Sequence, residues 1–363
     1  MKAKHRPKDG LSRFENLNTQ PHHKQKIFNN HEILTKGWYP VCASSELKTN
    51  SVSSFKIFRQ RIVVYRGESG EVYALDAFCP HLGADLGNGR VKGENVQCYF
   101  HQWEFNGSGQ LEKIPCLEKL DPSLSKLKTH HYPVQEKYGH IWVFAGESAT
   151  HDVINPPALL NEKVSAWYLK EITLFAHHHV MMANGVDLQH FATVHALDIK
   201  FDYNVSENDD DTFVWNLKGK IPDTNLKGKL ARFFLGDTFE YEVKFAGASL
   251  IAISYGKNAK FLGKPFPALN VLWGCLPQES GVSKVRIFFV TKKRKGLTGN
   301  VKNFFLYGFT MLLLMMLRDE DIEAFPNMRF NTNRLIEADK SLARFIQLIN
   351  KSQISSWGRR DDS

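Results

Sequence analysis

The sequence predicts an α+β protein in two parts, an N-terminal all-β unit followed by a unit in which helices accompany an antiparallel sheet. Three observations carry this expectation. The chain has 363 residues, 42% of them hydrophobic and 12% aromatic, which is material for two buried cores. Between residues 36 and 147 the apolar runs are short and punctuated by glycine turns, the pattern of a small antiparallel domain. Beyond residue 148, strand-like and helix-like runs mix without regular βαβ alternation, which argues against a doubly wound parallel sheet.

Taken in order, residues 1–35 read as a basic, flexible arm. Residues 1–26 hold seven Lys or Arg (Lys2, Lys4, Arg6, Lys8, Arg13, Lys24, Lys26) against Asp9 and Glu15, a net +5 out of the chain's +9. A solvated arm is the plain reading; attraction to an acidic redox partner or an anionic membrane is the functional one. No nucleic-acid-binding motif accompanies the charge, so nucleic acid is not expected as a partner. With no apolar h-region near the start, the expected location is the cytoplasm. Five cysteines are too few and too irregular for a disulfide framework, and Cys42, Cys116 and Cys275 read as reduced thiols.

Strands are expected at Phe55–Arg59, Arg61–Arg66, Glu71–Asp76, Gln97–Phe100, Lys128–Glu136 and His140–Phe144, with turns at Gly67–Gly70 and Asn106–Gly109. Asn155-Pro-Pro157 lies in a linker. The second unit offers strands at Trp167–His177, Asp211–Leu217, Thr238–Phe245, Ser249–Tyr255, Asn270–Leu276 and Ser283–Thr291, and a helix over about 181–193. Near the C-terminus, Leu335, Ala338, Leu342, Phe345 and Ile349 repeat at three- and four-residue steps, a helix stripe suited to core packing.

The most informative stretch pairs Cys79-Pro-His81 with Cys98-Tyr-Phe-His101. Two thiolates and two imidazoles would also suit zinc, but zinc sites more often separate Cys-x-x-Cys from His-x(3–5)-His, whereas here each pair mixes the two types. Two thiolates on one iron and two imidazoles on the other are what a Rieske [2Fe-2S] cluster requires. The loops Cys79–Gly87 and Cys98-Tyr-Phe-His-Gln-Trp103 resemble the cluster loops of Rieske proteins, with Gly83, Gly87 and Gly89 expected to let backbone approach the sulfides. In that family the second loop usually reads Cys-Pro-x-His-Gly-Trp, so Tyr99 and Gln102 are departures at the Pro and Gly positions.

A second constellation follows. Asp187 and His190 are three residues apart and share a helix face, while His190 and His195 are five apart. Five residues is about 140° around an α-helix, so both imidazoles reach one ion only if the helix ends or distorts between them. Two imidazoles and one carboxylate make the facial triad of non-haem Fe(II) oxygenases, with positions left open for dioxygen. Asn184-x-x-Asp187-x-x-His190-x(4)-His195 resembles the mononuclear iron motif of Rieske oxygenases, and its place after the cluster domain is that family's order. The resemblance covers nearly all of the chain from residue 36, and maps the third ligand to Asp321, with Asp319 as the rival. His177, His178 and His179 have no familiar ligand spacing and read as exposed or satisfied strand histidines.

The resemblance implies a Rieske domain at 36–147 and a helix-grip catalytic domain at 148–363. It also implies one [2Fe-2S] cluster and one Fe(II) per chain, dioxygen as co-substrate, and a homotrimer. Asp187 would then link an iron-bound histidine to His101 of a neighbouring subunit. No Gly-x-Gly-x-x-Gly follows a strand, so electrons are expected from a separate reductase or ferredoxin. Within the family the loops, the Asp-x-x-His-Phe run and Asp321-Ile322 are most similar to the steroid 9α-hydroxylase and cholesterol 7-desaturase branch, which implies monooxygenation of a bulky apolar substrate, although Ala183 stands where many relatives have Glu. Aromatic-acid oxygenation, desaturation or cyclisation are alternatives on the same scaffold, and a pure electron-transfer Rieske protein is a further one.

Finally, Val301–Leu317 is apolar almost without break yet too short to span a bilayer. It is expected to form a buried helix that delivers Asp321 and lines a substrate pocket with some of Phe305, Phe309, Leu312 and Met316, beside Asn184. A peripheral membrane contact near the substrate entrance is the rival reading.

Overall fold

The computed structural model describes residues 26–224, 226–261, 264–278, 281–325, 328 and 330–358. Its first half is built from β1 (Trp38–Ala43), β2 (Ser51–Ile57), β3 (Gln60–Arg66), β4 (Val72–Asp76), β5 (Arg90–Lys92), β6 (Asn95–Gln97), β7 (Glu104–Phe105), β8 (Leu111–Lys113), β9 (His131–Tyr132), β10 (Val134–Lys137) and β11 (His140–Phe144). These form three antiparallel sheets in the orders β1-β11-β10, β2-β3-β4-β9 and β5-β6-β7-β8. Strand β3 is buried at Ile62, Val63, Val64 and Tyr65, because Ile62 and Val64 pack into one core and Val63 and Tyr65 into another.

The second half contains β12 (Val164–Tyr168), β13 (Ile172–Leu174), α1 (His178–Asn184), α2 (Gln189–Thr193), β14 (Phe201–Glu207), β15 (Thr212–Lys220), α3 (Leu226–Leu235), β16 (Thr238–Ala246), β17 (Leu250–Tyr255), the short hairpin β18 (Lys260–Phe261) and β19 (Lys264–Pro265), β20 (Leu269–Pro277), β21 (Ser283–Lys292), α4 (Gly296–Ala324) and α5 (Lys340–Ile349). An eight-stranded sheet runs β12-β21-β20-β17-β16-β15-β14, with β13 also paired to β21, and each pairing is antiparallel. The α+β class is as expected.

Side-chain alternation gives this sheet two jobs. On β17, Ile251 and Ile253 face the helices, while Leu250 and Ala252 face the first half of the chain with Trp38, Trp142 and Phe144. Both faces are covered, so these strands read as continuous apolar runs. Contact between the halves is close enough that a Cβ on Gly274 would sit 2.7 Å from the Trp142 ring, a separation only glycine permits. Helix α4 lies across β20 and β21.

Several elements differ from expectation. The helix expected over 181–193 is two short helices, α1 and α2, broken around Gly185–Leu188. The strand expected to reach His177 ends at Leu174, and the three histidines open α1 instead. Within the span expected to be an arm, Ile27, Phe28, Ile33 and Leu34 are buried, and the Asn350 side chain accepts hydrogen bonds from the Ile27 and Phe28 amides. Residues 1–25 lie outside the described residues.

Candidate metal centres

The two Cys-His loops are built alike. The Cys79 amide donates to Ala84 O (2.9 Å) and its carbonyl accepts from Gly83 N–H (2.9 Å); the Cys98 amide donates to Trp103 O (2.8 Å) and its carbonyl accepts from Gln102 N–H (3.0 Å). In each loop the cysteine is thus bridged to the residues four and five places on, and the residue four places on is left-handed: Gly83 at φ 73° and Gln102 at φ 58°. The second loop keeps the turn despite lacking the family's glycine, with Gln102 carrying the strain. Gly89 has a different task from the one expected. A Cβ there would lie 2.1 Å from Gln97 O, so it serves packing against β6.

Both thiols are buried, whereas His81 and His101 are exposed, with ring centroids 4.7 Å apart. His81 stacks flat on Trp103 (4.2 Å, 5°), which fixes its ring plane. Burial pushes the Cys79 thiol up to about 11, and the adjacent Cys98 reinforces this. Two buried soft donors opposite two surface imidazoles are a donor set that fits a Rieske cluster.

The second group forms where α2 ends. The Asp187 carboxylate accepts from Gln189 N–H (3.0 Å), shaping the turn into α2. His190 Nδ1 bonds to the Asp187 main-chain carbonyl at 2.5 Å; a carbonyl only accepts, so in the neutral ring the proton sits on Nδ1 and Nε2 keeps its lone pair. The His190 ring therefore meets Asp187 through the main-chain carbonyl within this chain, while the carboxylate faces the Gln189 and His190 amides. The helix then stops: the Val194 and His195 amides both reach back to His190 O, and Ala196 is left-handed at φ 54°. That stop brings the His195 ring to 5.0 Å from that of His190, as the five-residue spacing requires.

Asp321 arrives from α4, its Oδ1 3.5 Å from His195 Nε2. One ligand atom from each of His190, His195 and Asp321 lies within 4.8 Å of the others. Burial, followed by the neighbouring His195, lowers His190 to about 4, so it is neutral and able to ligate. The donor set of two imidazoles and a carboxylate fits a mononuclear iron.

An apolar cleft surrounds these three residues. Asn184 lines it as expected, together with Met181, Tyr241, Ile253, Trp273 and Leu314. Phe305 and Leu312 do not line it; they point to solvent, and Phe309 packs on Phe266. The reason is helical register. Leu314, Asp321 and Phe325 are seven and eleven residues apart and share one face, whereas Leu312 is nine residues from Asp321, about 180° away. Had Asp321 been used to set the register, Leu314 and Phe325 would have been legible in the sequence. The side chains of Met316 and Asp319 lie outside the described residues.

His177, His178 and His179 also cluster and are buried. One nitrogen of each ring is engaged in the fold, while His178 Nδ1 and His179 Nε2 are buried with no hydrogen-bond partner among the described residues. His177 Nδ1 accepts from the His179 amide, His179 Nδ1 accepts from the Asn29 amide, and His178 Nε2 donates to Ala248 O. In the neutral rings this puts the protons of His177 and His179 on Nε2, leaving only His178 Nδ1 as a lone pair. The trio clips residues 27–31 onto α1.

Comparison with known proteins agrees with this architecture. Residues 37–132 match the Rieske [2Fe-2S] domain. The chain is 33% identical over 188 residues to cholesterol 7-desaturase of Bombyx mori, covering 50% of this chain and 40% of that one. It is 28% identical over 222 residues to the oxygenase component of 3-ketosteroid-9-alpha-monooxygenase of Rhodococcus rhodochrous, covering 60% and 56%. The matches thus span about half the length of these curated relatives. The solved structure of NdmA from Pseudomonas putida CBB5 with caffeine superposes with a TM-score of 0.62 at 17% identity, covering 90% of this chain and 97% of that one. The chain thus carries a Rieske [2Fe-2S] domain, and its fold is similar to that of NdmA over nearly its whole length. Its relatives include enzymes named for sterols and ketosteroids.

Proposed function

We propose that this chain is the terminal oxygenase component of a sterol- or polycycle-oxidising system, using dioxygen to hydroxylate a hydrophobic substrate. The single observation that carries the reading is the convergence of His190, His195 and Asp321 at an apolar cleft, in a chain that also holds a paired Cys-His domain. Cys79, Cys98, His81 and His101 would hold the cluster, and His190, His195 and Asp321 the Fe(II). The cluster supplies single electrons, and the mononuclear iron supplies a site at which dioxygen is activated.

The chain's own residues prepare that chemistry. Asp187 O fixes the His190 tautomer, so its Nε2 lone pair is presented without a proton to remove. Met181, Ile253, Trp273 and Leu314 give the cleft apolar walls that favour a ring system and exclude water. Exposure of His81 and His101 supports transfer of electrons across a subunit boundary. Asp187 of a neighbouring subunit in a homotrimer is the proposed acceptor of the His101 N–H, and a reductase or ferredoxin the proposed donor. No helix among the described residues is long and apolar enough to cross a membrane; cytoplasmic location is part of this proposal.

The test is a single turnover. Protein with a reduced cluster is mixed with a sterol or 3-ketosteroid and isotopically labelled dioxygen. A product carrying one labelled oxygen supports hydroxylation, and loss of two hydrogens without label supports desaturation, for which the cholesterol 7-desaturase similarity speaks. Cluster reoxidation with no change in any apolar substrate would contradict the proposal.

A further inference from the structure

Helix α4 is apolar on nearly every side, yet only one side is covered. Leu306, Thr310 and Leu314 are buried toward the sheet, while Leu297 (81% exposed), Val301, Phe304 (72%), Phe305, Leu312 and Met315 lie in solvent. Their spacing places all six within an arc about 100° wide, and from Leu297 to Met315 the stripe is about 27 Å long. Scattered exposed apolar residues need no explanation, but a continuous stripe with two adjacent phenylalanines does. The expectation that Phe305 and Leu312 serve the substrate cleft is not met, so the cleft does not account for them.

Charge identifies what would cover the stripe. From Lys292 to Leu317 the sequence has Lys292, Lys293, Arg294, Lys295 and Lys302 and no acidic residue. Lys292 is paired with Glu162, and Arg294 is bound to Asn303. Lys293, Lys295 and Lys302 are exposed, with no ion pair among the described residues. A basic end leading into an exposed apolar face has the chemistry of an interfacial helix, in which cations meet anionic headgroups while aromatic and aliphatic side chains enter the acyl boundary. A second copy of the chain would set this cationic end against like charge unless its own acidic residues met it.

We propose that the exposed face of α4 docks on the surface of an anionic lipid bilayer, lying in the interface without crossing it. The same helix carries Leu314, Asp321 and Phe325 on its opposite side, so docking would place the lipid surface against the outer wall of the cleft. The proposal does not depend on which reaction the iron site performs.

Vesicle flotation of the full chain tests it, comparing phosphatidylcholine vesicles with mixed phosphatidylcholine and phosphatidylglycerol vesicles. The expected result is flotation with the mixed vesicles that weakens with salt, and falls at least about tenfold in the Phe304→Ser/Phe305→Ser double variant. Lys293→Glu/Lys295→Glu should abolish the preference for anionic vesicles. Light scattering and the visible spectrum are recorded on each variant to confirm unchanged folding. Absence of flotation, or flotation unchanged by the serine substitutions, overturns the proposal. So does an oligomer that those substitutions dissociate while vesicle binding is absent, because the stripe would then cover a second copy.

Discussion

Asp321 Oδ1 lies 3.5 Å from His195 Nε2, joining the long helix α4 to the point where α2 ends. Two motifs far apart in sequence meet there. The sequence rival, Asp319, is two residues earlier in α4, a step of about 200° around a helix. Asp321→Ala is expected to lower mononuclear iron occupancy at least about tenfold, and Asp319→Ala to leave it unchanged. Iron analysis of the two purified variants decides between them.

Asp187 offers a different kind of prediction, because its carbonyl and its carboxylate have separate tasks. The carbonyl holds His190, and a substitution of the side chain retains it. Asp187→Ala is therefore expected to keep both metal sites, while the reduced cluster reoxidises at least about a hundredfold more slowly on mixing with substrate and dioxygen. Wild-type reoxidation in the variant would show that the carboxylate carries no inter-subunit contact needed for electron transfer.

Gln102 occupies a left-handed position that its counterpart Gly83 fills without strain. Gln102→Gly is expected to stabilise the cluster domain by about 1 kcal/mol, seen as a higher melting temperature of cluster-loaded protein. Gly83→Gln is expected to destabilise it by a similar amount.

His178 gives a pH dependence. Burial lowers it from 6.5 to about 4, so the unfolded chain binds the proton more readily than the folded one between those values. Its stabilising contribution is complete above about pH 6.5 and is lost as pH falls toward 4, on the order of 3 kcal/mol in all. Burial also holds His177 and His179 low, in the same direction. Thermal unfolding at pH 7.5 and pH 5 should therefore differ, and His178→Asn should reduce the difference. The Asn29 amide, bonded to His179 Nδ1, is expected to lose protection, relative to its intrinsic exchange rate, at the lower pH.

The legible parts of this molecule were the local ones. Cysteine and histidine spacing is a property of single loops, and the Cys79 and Cys98 loops close on themselves through bonds to the next five residues. The spacing of His190 and His195 even required the helix to stop, as it does. Helix α4 misled because it is apolar all round, so hydrophobic periodicity could not show which face met the sheet. Strand β14 was missed because, at the sheet edge, it is mostly solvent-exposed. The histidine trio opens a helix and is buried, where a strand was expected, and its partners Asn29 and Ala248 lie too far away in sequence to be read locally.

Two distinct iron sites in one chain should show in the iron content of anaerobically purified protein, read alongside its visible spectrum. About three irons per chain with a Rieske spectrum are expected, and about two irons with the same spectrum after His190→Ala, since the ligand sets are separate. A colourless protein, or a His190→Ala variant that folds but loses the cluster spectrum, would contradict it.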